Sequence, residues 1–151
     1  MQSHWIFSFA EPLDEATQYA LAKRMEEALK GWQAHGRPIE SRFALRERRF
    51  LLVEATSDTS GCSRDWLQNV VTYAAEGLGI ALAGSEQVFF KRPDGEVVSH
   101  DFRAVEQAVA QGHLAPDTPM FDHTVVHQNT FMGWEKPLKA SWLAARAGLT
   151  S

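Results

Sequence analysis

The residues best suited to chemistry fall in two short stretches, 32-WQAHGRP-38 and 58-DTSGCSRD-65. Cys62 is the single cysteine of the chain. An apolar run precedes it and an amphipathic pattern follows, which puts the thiol where a strand turns into a helix. There the peptide dipoles favour a thiolate, and Arg64 adds charge of the same sign. Gly61 allows close backbone approach, as in turns that bind anions. A thiol nucleophile needs a base. His35, where the chain leaves its first helix, is the candidate, with Asp58 or Asp122 to orient the imidazole. With Cys62 as helix N-cap, Asp65 would return the capping bond from the third helical position. The same residues also have structural uses: a small side chain at a packed corner, and a histidine bonding the last carbonyls of a helix.

Three functional readings follow. In the leading one, a small anionic ligand or a protein partner binds in a cleft between residues 31–37 and 58–65. The backbone around Gly61 is the cradle, His35 and Arg37 are donors, Trp32 is an apolar wall and Cys62 a polarisable floor. The alternative is a thiol-dependent hydrolase or transferase with Cys62 as nucleophile and His35 as base, so that catalytic status stays open. The third is a homo-oligomeric or interaction protein that presents Phe121, Phe131, Trp134 and Trp142 from residues 113–143. Arg42, Arg46, Arg48 and Arg49 form the one basic cluster, read as a wet face paired with Glu40 and Glu47. The pair 123-HTVVH-127 would share one face of a strand, but the sequence has no CxxC, no HExxH and no short run of carboxylates. No metal and no cofactor are expected.

The elements that position these residues read as α+β. A strand over 4–10, a helix opened by Pro12 or Asp14 and reaching Lys30 or Trp32, strands over 39–46 and 49–55, a helix over 63–79 and a strand over 86–92 give βαββαβ. That order is the ferredoxin-like split βαβ, an antiparallel sheet with two helices on one face. A returning strand at 96–100 makes a hairpin and residues 101–112 a third helix. Residues 113–137 are a long irregular stretch that wraps the domain or meets a partner, with 123–129 strand-like, and a short helix lies near 139–147.

The length of 151 residues with 44% hydrophobic fits a single domain, 1–151, with 113–151 as a less regular extension. A net charge of -4 argues against nucleic acid. The start of the chain lacks a basic run before its apolar one, and no segment has the apolar length to span a bilayer, so a cytoplasmic location is expected.

The N-terminal W-I-F strand, the tryptophan before 34-AHG-36 with Pro38, the RF strand and 60-SGCSRD-65 resemble a family of small uncharacterised bacterial proteins often called ABC transporter ATPases. The resemblance covers nearly the first ninety residues. It implies a shared site of Trp32, His35, Gly36, Cys62 and Asp65, and Arg64 stands where the family pattern has an aliphatic residue. It implies no ATPase activity: a phosphate-binding loop of the form GxxxxGKS or GxxxxGKT is absent from the sequence.

Overall fold

The structure, a computed structural model, describes residues 2–56 and 59–149. The chain is of the α+β class and divides into two compact units, Met1–Ala83 and Gly84–Ser151. No helix among the described residues is long and apolar enough to cross a membrane.

In the first unit the order is β1 (Ser3–Ser8), α1 (Glu15–Leu29), a small hairpin of β2 (Gln33–Ala34) and β3 (Arg37–Pro38), β4 (Ser41–Arg46), β5 (Phe50–Ala55) and α2 (Gly61–Gly77). The antiparallel sheet runs β1-β5-β4, the order of the split βαβ arrangement. Beside β1, where a fourth strand belongs, residues 81–83 make a single antiparallel bridge, Phe9 to Leu82. It is flanked by 2.8 Å bonds from the Ala10 N–H to Ala81 O and from the Ala83 N–H to Ser8 O. Gly79, at φ 70°, turns the chain out of α2 and leaves only this short run before Gly84. The strand expected over 86–92 is therefore built into the second unit.

Alternation within the strands and helical spacing between them make one core. Asp14 opens α1 by accepting the Thr17 N–H at 2.7 Å. Leu21, Met25 and Leu29 of α1 and Leu67, Val71 and Ala74 of α2 bury against Phe7, Leu51 and Val53, all on one sheet face. Each such large side chain contributes about 1.5–3 kcal/mol. The opposite face carries His4, Arg42 and Glu54. Arg42 donates to both Glu54 oxygens at 3.2 Å, so its partner is the neighbouring strand and not Glu40 or Glu47. The rest of the arginine cluster is largely structural. Arg48 Nε donates to Leu13 O at 2.9 Å, and the buried Arg49 donates to Phe9 O and Ala10 O.

In the second unit β6 (Gln87–Lys91), β7 (Val97–Asp101), α3 (Val105–Ala110), β8 (Pro119–Phe121) and β9 (Glu135–Pro137) form an antiparallel sheet in the order β7-β6-β8-β9. The expected third helix begins as a 3-10 turn, Phe102–Ala104, and is α-helical only from Val105. The stretch 113–137 is not irregular throughout: it supplies two strands, and Leu114 and Met120 join the core with Val88, Phe90 and Leu138. Phe121 is buried with Trp134 against it at 4.8 Å, so it is not offered to a partner, whereas Trp142 is exposed. Within 123–129, expected as strand-like, residues His123–Gln128 form a 3-10 helix instead, because Asp122 caps it, accepting the Thr124 N–H at 2.9 Å. The short helix expected near 139–147 does not form: a 3-10 turn, Leu138–Ala140, ends at Ser141, whose backbone is extended, and only turns follow.

Three histidines are held below their usual pKa by burial: His4, where Arg42 adds to the effect and Glu54 opposes it; His100, also beside His113; and His123, whose ring stacks on Phe89. The unfolded chain therefore takes up these protons first. Their contribution is complete above an unfolded pKa of about 6.5 and is lost as pH falls from there toward the lowered folded values. Thermal unfolding should show stability falling between neutral and mildly acidic pH, by at most about 1.4 kcal/mol per pH unit for each group. His123→Gln should flatten that slope, and a slope equal to wild type would show that His123 takes no part.

Candidate functional site

The first turn of α2 and the chain leaving α1 face each other across an open cleft of about 580 Å³. Gly31, Gln33 and His35 line one side; Ser60, Gly61, Cys62 and Ser63 line the other, with Trp66. The shape of the first side has a local cause. After α1 the chain makes a hairpin in which Ala34 pairs with Arg37, and the two turn residues, His35 (φ 53°) and Gly36 (φ 76°), both lie in the left-handed region. That is the requirement of the tight type I′ turn, which fits the twist of the flanking strands. Glycine meets it freely, and histidine is among the few other residues often found there. The Ile39 N–H closes the loop onto Trp32 O at 2.9 Å.

Trp32 ties the two sides together. Its indole is 1% exposed, and Nε1 donates to Ser63 O at 2.8 Å. The ring packs edge-on to Trp5 at 5.5 Å and nearly parallel to Trp66 at 6.0 Å. Trp32 thus lies beneath the cleft, in the core, and the apolar wall expected of it is provided by Trp66.

The first turn of α2 is capped by serines. Ser60 is the N-cap, its Oγ accepting the Ser63 N–H at 3.2 Å, and Ser63 Oγ accepts the Ser60 N–H at 2.7 Å. Cys62 is therefore the second helical residue and not the cap. Asp65 is not the capping partner; it is exposed and is not among the residues lining the cleft. The Arg64 N–H is taken by Ser60 O at 3.0 Å, which leaves the Gly61 and Cys62 N–H groups with no hydrogen bond among the described residues. A Cβ on Gly61 would meet nothing within 4 Å, so the backbone there opens onto free space.

Cys62 and His35 are both exposed and share the cleft, but no hydrogen bond joins them. The acids considered for the imidazole do not complete a triad. Asp122 caps the 3-10 helix and pairs with Lys136 Nζ at 2.8 Å; against the upward pull of burial, Lys136 and Thr124 hold its carboxyl below the usual range. Asp58 lies outside the described residues. Gly36 and Arg37 are exposed on the hairpin beside the cleft. Among the described residues no group of three histidines, cysteines or carboxylates could hold a metal ion. The 3-10 repeat of three residues per turn also turns His127 away from His123, removing the shared face a strand would have given. A serine cap and a packed face beginning at Trp66 are readable from the sequence; Ser63 as the reciprocal capping residue, and Trp66 as a wall of the cleft, were missed, and the Ser-x-x-Ser spacing at a helix start was the available signal for the first. No protein-family model, curated protein or solved structure matches the chain.

The clamp is open to test by equilibrium unfolding. Ser60→Ala should cost about 1 kcal/mol through loss of the cap. Trp32→Phe keeps most of the packing but strands the Ser63 carbonyl, and should cost about 1–3 kcal/mol. A Trp32→Phe protein as stable as wild type would show that the indole bond does not hold the hairpin to α2.

Proposed function

We propose that the chain binds a small anionic ligand in the cleft between residues 31–37 and 58–65, and that this binding is its function. The observation that carries the reading is the pair of N–H groups on Gly61 and Cys62, which have no hydrogen bond among the described residues, at the positive end of a 17-residue helix and on the lining of a cleft. A volume of about 580 Å³ falls in the range used for small molecules. His35 and Gln33 across the cleft supply further hydrogen-bonding groups, Trp66 an apolar surface, and Arg37 on the exposed hairpin a nearby positive charge. The two motifs through which the chain resembles the small bacterial family stand on the two sides of this cleft. A thiol-dependent hydrolase or transferase is not favoured, because Cys62 is exposed and has no hydrogen-bonded base among the described residues.

The test uses inorganic phosphate as probe. Titration followed by amide NMR should shift the Gly61, Cys62 and Ser63 resonances together and saturably. Gly61→Glu places a carboxylate at the first helical position, where it has room and where the helix dipole favours it. That variant should fold with unchanged or slightly raised stability and lose the phosphate response. Shifts confined to other parts of the chain, or a Gly61→Glu protein that still binds, would overturn the proposal.

A further inference from the structure

In the first unit's sheet, β4 lies at the edge, with β5 on one side only. The Thr56 N–H donates to Glu40 O at 2.9 Å, which marks Glu40 and Thr56 as a hydrogen-bonded pair. Antiparallel ladders alternate, so Arg42, Ala44 and Arg46 direct their backbone groups at β5, while those of Ser41, Phe43 and Leu45 point off the sheet. Among the described residues, the backbone groups of these three residues make only one hydrogen bond, the Leu45 carbonyl accepting from Arg46 at 3.3 Å. Natural sheets blunt such edges with bulges, prolines or charge. Here Arg42 is already neutralised by Glu54 in its own sheet, and Pro38 lies ahead of the strand.

We infer that this edge pairs with the same edge of a second copy of the chain, β4 against β4 about a two-fold axis through Phe43. The sequence of the strand, 40-ESRFALR-46, selects that register by charge. Pairing Phe43 with Phe43 sets Glu40 opposite Arg46 twice, once at each end, and Arg42 opposite Ala44. Moving the axis to Leu45 would run the ladder past the end of β4 into Glu47 and Arg48, which form the turn to β5 at φ 56° and 61°, and would leave Glu40 with no residue of β4 opposite it. The chosen register also places Leu45 of each copy opposite Ser41 of the other, on the helix side of the sheet. Beside Ser41 an open groove of about 540 Å³, with Leu29, Ile39 and Phe43 in its walls, has room for that leucine. The result is one continuous six-stranded antiparallel sheet, with the cleft at α2 left to act in each copy.

Sedimentation of the full chain over a wide dilution series tests the pairing. Wild type should pass reversibly between monomer and dimer. Glu40→Arg and Arg46→Glu each create two like-charge contacts and should weaken the dimer about tenfold or more. The double variant Glu40→Arg/Arg46→Glu should restore it, and an equal mixture of the two single variants should form a heterodimer. Circular dichroism equal to wild type identifies variants that remain folded. A wild type that is monomeric at every concentration overturns the inference. So does a dimer that survives both single substitutions, since it would use another surface.

Discussion

The bond from the Trp32 indole to the Ser63 carbonyl is the constraint on which the candidate site depends. A short hairpin after α1 has little core of its own, and two residue pairs of ladder would not hold it in place. Trp32 anchors it by burying a large ring between Trp5 of β1 and Trp66 of α2, with its one polar atom satisfied by the first turn of α2. The carbonyl that receives this bond belongs to the residue whose side chain completes the serine cap. Hairpin position and helix start are therefore set by the same contact, and the cleft is the space left above it.

That arrangement explains why the site is built of backbone as much as of side chains. Ser60 and Ser63 satisfy each other, while the Gly61 and Cys62 amides beside them have no hydrogen bond among the described residues. The thiol is carried along at the second helical position, in the open. Its exposure needs no catalytic explanation, because nothing in the helix start requires that side chain to be buried.

The α+β class and the sheet order were legible because alternation in 41-SRFALR-46 and helical spacing in α1 and α2 each match one period. The closeness of 31–35 to 60–63 was also legible, since both stretches sit at helix-sheet transitions of a split βαβ unit. Depth was not. Trp32 and Trp66 are the same residue type near the same cleft, and only packing distinguishes the buried one from the wall. The place of residues 86–92 was equally hidden: their apolar pattern suits any strand, and the sheet they join depends on how few residues separate Gly79 from Gly84. Residues 123–128 have strand-like composition, yet the carboxylate of Asp122 offers the backbone a cap and the local structure follows it.

The central claim is that the cleft over the first turn of α2 receives an anion. A crystal structure grown in phosphate tests it most directly. The account predicts a tetrahedral anion within hydrogen-bond distance of both the Gly61 and Cys62 nitrogens, with His35 or Gln33 reaching it from the hairpin. Phosphate bound elsewhere on the molecule, with only water against those two amides, would contradict it.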